Sequence, residues 1–110
     1  METFPKGTVV FVPFPFSDLS QAKLRPALVL ASAGRGDYLL CQITSNPYGD
    51  PKTIALADID FEKESLAQAS FARPTKLFTA HASLLVSRVG QLKHQCVEKI
   101  MDTIITWLKE

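Results

Sequence analysis

The sequence predicts a mainly β (α+β) fold: a small antiparallel barrel covered by one C-terminal amphipathic helix. Short runs rich in β-branched and aromatic residues recur as far as Leu92, and turn-forming residues separate them. Only the last segment carries apolar residues at helical spacing. Several strands followed by a single helix pack most simply as a barrel with the helix laid against it.

Prolines and glycines define the predicted strands. Pro13 and Pro15 have no N–H to donate, so the first strand must end there or lie at a sheet edge. We expect a strand entered through Pro74 and a last strand broken near Gly90. The predicted strands are Thr8–Val12, Arg25–Leu30, Tyr38–Ile43, Thr53–Leu56, Lys76–Thr79 and Leu84–Leu92.

Residues 44–51 are dense in turn formers and predict a loop, whereas residues 58–68 predict a charged connection with one helical turn. The terminal helix is predicted from Lys93 to Lys109. Its apolar positions are Val97, Ile100, Met101, Ile104, Ile105 and Leu108.

Composition limits the functions open to the chain. A length of 110 residues predicts one domain, residues 1–110, and 46% hydrophobic with 21% charged residues is typical of a soluble globular protein. The net charge of +1 excludes a strongly cationic surface overall, so any nucleic-acid site must be a local cluster of cations. We expect no signal peptide and no membrane span, because no apolar run approaches the ~20 residues that a span needs.

The cysteines and histidines do not predict a metal centre. Cys41 and Cys96 are expected to be small buried hydrophobes, which suits a reducing cytoplasm. His81 and His94 are expected at the surface, and no paired ligand spacing or phosphate-cradling glycine loop is present. We therefore expect no metal and no cofactor.

Three polar clusters fall at strand ends. Pro26 restricts Arg25 to extended backbone at the mouth of the preceding polar loop. On position alone, a functional role for Arg25 and simple solvation of a strand end are about equally compatible with the sequence. Thr44–Ser45 form the second cluster, and Arg73 with Lys76 forms the third.

Four blocks of the chain resemble the MazF/PemK family of toxin endoribonucleases. They are Gly7–Phe16, Arg25–Leu30, Cys41–Asn46 and Phe71–Thr79, and they occur in the order expected for that family. The resemblance implies an SH3-like antiparallel barrel of the MazF/CcdB type, a fold shared with the gyrase-poisoning CcdB toxins. It also implies a homodimer.

The resemblance further implies that Arg25 and Thr44 are the catalytic pair. RNA cleavage without a metal uses the neighbouring 2′-hydroxyl as nucleophile, and a guanidinium can stabilise charge on the phosphorane oxygens. Without the resemblance, the sequence favours closing a turn over catalysis as the role of the Thr44 hydroxyl.

The other candidate residues surround this pair. Asp18, in a polar loop predicted from Ser17 to Leu24, is a candidate proton acceptor, although the sequence favours an Asx-type turn there. Several relatives carry a histidine or glutamate in the first loop and an acid before the lysine of the third block. This chain has neither at matching places, and Arg73 stands roughly where that acid would be. The candidate RNA-binding residues are Lys23, Ser45, Asn46, Arg73 and Lys76.

The function implied is a sequence-specific, metal-independent endoribonuclease that cleaves single-stranded RNA such as mRNA. It would be the toxin of a type II toxin–antitoxin system, neutralised by a cognate acidic antitoxin. One alternative is a non-catalytic toxin or binding module on the same fold, similar to CcdB and directed at a protein target. A third is a barrel interaction domain of a larger assembly.

Overall fold

The structure, a computed structural model, describes residues 3–15, 22–62, 66 and 69–110. Two short 3₁₀ helices, Asp58–Asp60 and Ala82–Leu84, connect the main elements. The strands are β1 (Thr8–Pro15), β2 (Ala22–Gly34), β3 (Asp37–Thr44), β4 (Ile54–Leu56), β5 (Ser70–His81) and β6 (Ser87–Gln91), and they are followed by α1 (His94–Leu108).

The six strands form one antiparallel sheet in the order β4-β5-β3-β2-β1-β6, curled into a half-barrel. Strand β3 forms a hairpin with β2, as the sequence predicts, and both are central strands. The mainly β fold with a terminal helix is therefore confirmed. No helix in the described part of the chain combines the length and the apolar character needed to cross a membrane.

The prolines of β1 lie at an edge. Pro13 and Pro15 pair with β2, opposite Leu24 and Ala22. Strand β6 pairs with β1 only as far as Phe11, so among the residues that the structure describes the rest of β1 has no second neighbour in the sheet. The edge alternative is thus the correct one, and it requires no N–H from either proline on the open side.

Strand β5 is longer than predicted, because Pro74 lies inside it instead of at its start. Leu77 is opposite Cys41 while Arg73 is opposite Gln42, so residues 74–76 form a bulge between two paired stretches. A proline is tolerated at such a bulge because no ladder hydrogen bond is lost there. Strand β6 likewise continues through Gly90, where the register shifts.

Apolar side chains pack on both faces of the sheet, as the alternation of β2 shows. Leu28 and Leu30 belong to one core cluster, and Ala27 and Val29 belong to the other. Helix α1 contributes to the first cluster through Cys96, Val97, Ile100 and Ile104.

The buried stripe of α1 is narrower than predicted, because Ile105 and Leu108 are exposed. Both cysteines are buried, as predicted. Burial raises the pKa of the Cys41 thiol to about 12 and also raises that of Cys96.

Candidate active site

Arg25 and Thr44 lie on neighbouring strands of the sheet. In the β2–β3 hairpin Ala27 is opposite Gln42, the last pair of that ladder, and Arg25 and Thr44 each lie two residues beyond that pair. Alternation puts both side chains on the face that carries Ala27 and Leu40. A cation and a hydroxyl from two predicted clusters are thereby brought to one place.

The backbone at Arg25 is held on both sides. Arg25 is opposite Val12 of β1, and Pro26 is opposite Phe11. The Arg25 side chain is half-buried, so part of it remains accessible to a ligand. The prediction that Pro26 keeps Arg25 in extended backbone is confirmed.

Thr44 is only 8% exposed and closes a turn. Its Oγ1 accepts a hydrogen bond from the backbone N–H of Asn46 at 3.2 Å. That bond uses an oxygen lone pair, so the hydroxyl hydrogen can still be donated. The turn-closing role is therefore present, and it does not prevent a hydrogen bond from Thr44 to a phosphate oxygen.

Arg73 lies opposite Gln42 on β5, diagonally across from Thr44, whose direct partner is Phe71. Its Nη2 lies 3.6 Å from Oδ2 of Asp50, and each side chain is 16% exposed. Among the residues that the structure describes, the buried Nε of Arg73 has no hydrogen-bond partner. Arg73 therefore joins the site from β5.

The loop after β3 is folded on itself around Asp50. Oδ1 of Asp50 accepts a hydrogen bond from the Lys52 N–H at 2.9 Å, and its backbone N–H donates to the Pro47 carbonyl at 3.0 Å. The Lys52 hydrogen bond, followed by the Arg73 cation and the hydroxyl of Thr75, lowers the pKa of the Asp50 carboxyl. Burial of Asp50 opposes that shift.

The remaining predicted residues differ in placement. Lys23 is exposed and lies in β2, so it belongs to a strand and not to the predicted loop; alternation puts it on the same face as Arg25. Ser45 and Asn46 are exposed just after Thr44. Lys76 is exposed in the β5 bulge, where the register gives it no partner on β3. Asp18 lies outside the described residues.

Two residues of the site are missing from the sequence-based prediction. Tyr48 lies with its ring centroid 5.1 Å from Cζ of Arg73, and Asp50 forms the ion pair with the same guanidinium. The run Asn-Pro-Tyr-Gly-Asp from Asn46 to Asp50 indicated only a turn. A large aromatic residue between turn formers was the available signal, but its contact with Arg73 depends on strand pairing.

Within residues 3–15, 22–62, 66 and 69–110, no group of three or more His, Cys, Asp or Glu side chains is placed to hold a metal ion. The chemistry available at the site comes from the guanidinium groups of Arg25 and Arg73 and the hydroxyl of Thr44.

Solved structures with the same fold are toxins and their complexes. MazE–MazF from Deinococcus radiodurans is similar with a TM-score of 0.77 and 18% identity, covering 98% of each chain. An endoribonuclease in complex with its cognate antitoxin, from a mycobacterial species, is similar with a TM-score of 0.75 and 15% identity, covering 99% of this chain and 96% of that one. MazF alone from D. radiodurans is similar with a TM-score of 0.72 and 19% identity, covering 99% of this chain and 100% of that one. These likenesses establish a MazF-type toxin fold.

The sequence match is more specific. The family model of PemK-like, MazF-like toxins of type II toxin–antitoxin systems matches residues 5–108. The chain belongs to this family. No curated protein sequence is significantly similar to it.

Proposed function

We propose that this toxin is a metal-independent endoribonuclease that cleaves single-stranded RNA, with Arg25 and Thr44 as its catalytic residues. The observation that carries the proposal is the register of the β2–β3 hairpin, in which Arg25 and Thr44 each lie two residues beyond the Ala27–Gln42 pair, on one face of the sheet. The endoribonuclease among the similar structures supports the same activity.

The reaction uses the RNA's own nucleophile. The 2′-oxygen attacks the adjacent phosphorus and loses its proton, while the bond from phosphorus to the 5′-oxygen of the next nucleotide breaks and that oxygen gains a proton. Arg25 donates to the phosphorane oxygens, where its planar fork stabilises the growing negative charge. Thr44 donates its hydroxyl hydrogen to the same phosphate and holds it for in-line attack.

The flanking cations bind the rest of the strand. Lys23, on the same strand face as Arg25, and Arg73, diagonal to Thr44, lie on either side of the pair and bind neighbouring phosphates. Ser45 and Asn46 offer polar groups just beyond Thr44, and Lys76 adds a cation in the β5 bulge. Because an arginine stays protonated, proton transfer is assigned to another group, for which Asp18 remains the candidate.

The protein partners follow from the surface. A cognate acidic antitoxin would compete with RNA by offering carboxylates to the same arginines. Exposed large apolar side chains include Leu84, Val86 and Leu108, which offer surface for that partner or for a second toxin subunit. We propose a homodimer working in the cytoplasm, where mRNA is the substrate.

The test is cleavage of a long single-stranded RNA by the purified protein in EDTA, with the new 5′ ends mapped. Discrete cut sites in the RNA, and none in single-stranded DNA of the same sequence, are expected because DNA lacks the 2′-hydroxyl. An intact RNA would overturn the proposal in favour of a toxin that blocks a protein target. Equal cleavage of the DNA would overturn the mechanism.

A further inference from the structure

We propose that Tyr48 is a base-stacking residue, which reads a nucleobase of the RNA next to the cleaved phosphate. This inference rests on the proposed function and adds a recognition site to it. Tyr48 is 62% exposed, and it is the one aromatic residue among the exposed large hydrophobic residues in the described part of the chain. Single-stranded RNA is recognised mainly by stacking of splayed bases on such rings.

The ring of Tyr48 is held in place by Arg73. The guanidinium Cζ lies 5.1 Å from the ring centroid, which is within the range of a cation–π contact. Arg73 is fixed in turn by its position on β5 and by the ion pair with Asp50. A ring positioned before the ligand arrives binds a base with less loss of conformational entropy than a mobile one.

The backbone at Tyr48 adopts an unfavourable conformation. Tyr48 and Gly49 have φ of 56° and 67°, and the Asp50 N–H donates to the Pro47 carbonyl across them. Two successive positive φ values are typical of a type I′ turn, in which a bulky residue such as tyrosine is rare. Strained backbone of this kind concentrates at ligand-binding sites, and here it projects an aromatic ring from the loop.

Two hydrogen bonds link Tyr48 to the candidate catalytic threonine. The Asn46 N–H donates to Oγ1 of Thr44 at 3.2 Å, and the Tyr48 N–H donates to Oδ1 of Asn46 at 2.8 Å. The ring also contacts Arg73, which lies opposite Gln42 and is therefore the diagonal neighbour of Thr44 across the β3–β5 ladder. A base stacked on Tyr48 therefore belongs to a nucleotide near the scissile phosphate, and the ring selects for a base at that position.

The experiment combines Tyr48→Leu and Tyr48→Phe with RNA in which single bases are removed. Binding is measured by anisotropy on fluorescein-labelled 2′-O-methyl RNA, which lacks the nucleophilic hydroxyl, and kcat/KM is measured on ordinary RNA of the same sequence. Tyr48→Leu should weaken binding by about 5- to 150-fold. Tyr48→Phe, which keeps the ring, should bind like the unaltered protein.

Removal of the base at one position near the cut should weaken RNA binding by the unaltered protein. The same removal should not weaken binding by Tyr48→Leu any further, as expected when the side chain and the base interact directly. The stacking role would be overturned if Tyr48→Leu bound RNA as well as the unaltered protein, or if Tyr48→Phe lost as much binding as Tyr48→Leu. It would also be overturned if no abasic position weakened binding by the unaltered protein alone. If the unaltered protein binds RNA without cutting it, the activity fails while the binding comparison still decides the role of Tyr48. A protein that does not bind RNA would overturn both.

Discussion

Nη2 of Arg73 lies 3.6 Å from Oδ2 of Asp50, and this ion pair joins the loop after β3 to the bulged strand β5. The contact keeps an arginine next to the Arg25–Thr44 pair and holds the loop that carries Tyr48. Neither partner is fully buried, so the pair orients the site more than it stabilises the fold.

Loss of the Asp50 carboxylate should change the response of the protein to acid. The pKa of Asp50 is lowered from its usual 3.8, so its contribution to stability is present above that value and is lost as the pH falls through the lower folded value. Urea unfolding should therefore show Asp50→Asn to be less stable than the unaltered protein at pH 7, with the difference shrinking below about pH 4. Asp102→Asn, on the exposed face of α1, is the control. A difference that grows on acidification would contradict the assignment.

Removing the charge of Arg25 should abolish cleavage. Loss of one cation that acts on the transition state is expected to lower kcat/KM on the order of 10²-fold or more. Arg35→Gln is the matched control, since Arg35 is exposed in the turn between β2 and β3. The two variants should have similar thermal unfolding temperatures. Only Arg25→Gln should have a lower rate of RNA cleavage. Full activity of a folded Arg25→Gln protein would refute the catalytic role.

Two variants of Thr44 distinguish its proposed catalytic role from its role in closing the turn. Thr44→Val removes the hydroxyl, which should lower kcat and also cost about 1 kcal/mol of stability through the lost Asn46 hydrogen bond. Thr44→Ser should recover both. Thr103→Val removes a hydroxyl that donates to the Lys99 carbonyl on α1, and it should leave kcat unchanged. If Thr44→Val lowers only stability, the threonine is a turn residue alone.

Cleavage should persist without divalent cations. The proposed chemistry draws its positive charge from arginines, so activity in excess EDTA should equal that in added Mg²⁺ once ionic strength is matched. The rate of RNA cleavage in the two buffers is the measurement. Activity lost in EDTA and restored by Mg²⁺ would show that a metal takes part.

The helix provides a test of the fold. Ile100 is fully buried and Ile105 is 46% exposed on the same helix. Ile100→Ala should lower the free energy of unfolding by about 2–5 kcal/mol through lost burial and a cavity. Ile105→Ala should change it by about 0.5 kcal/mol or less. Equal losses, measured by urea unfolding, would mean that Ile105 is covered by another subunit or partner.

Local patterns in the sequence were enough to predict most elements. The 3.6-residue periodicity after Leu92 predicted α1 almost to its ends, because helix hydrogen bonds and side-chain contacts are local. The missing N–H groups of Pro13 and Pro15 limited β1 to a strand end or a sheet edge at that point, and β1 has the edge. Arg25–Pro26 marked extended backbone, because proline restricts its predecessor whatever the fold.

Only the tertiary structure decided which residues meet. Arg25 and Thr44 each lie two residues beyond the Ala27–Gln42 pair, and Arg73 lies diagonal to Thr44. These placements follow from the register of three strands, and register depends on contacts between distant parts of the chain. Pro74 alone suggested a strand start, yet the pairing on both sides of the bulge makes it an interior residue. The sequence around Tyr48 indicated only a turn, whereas the position of Arg73 on β5 brings its guanidinium against the Tyr48 ring. The sequence by itself therefore determined the elements and the family, whereas the packing of the sheet decided the composition of the site.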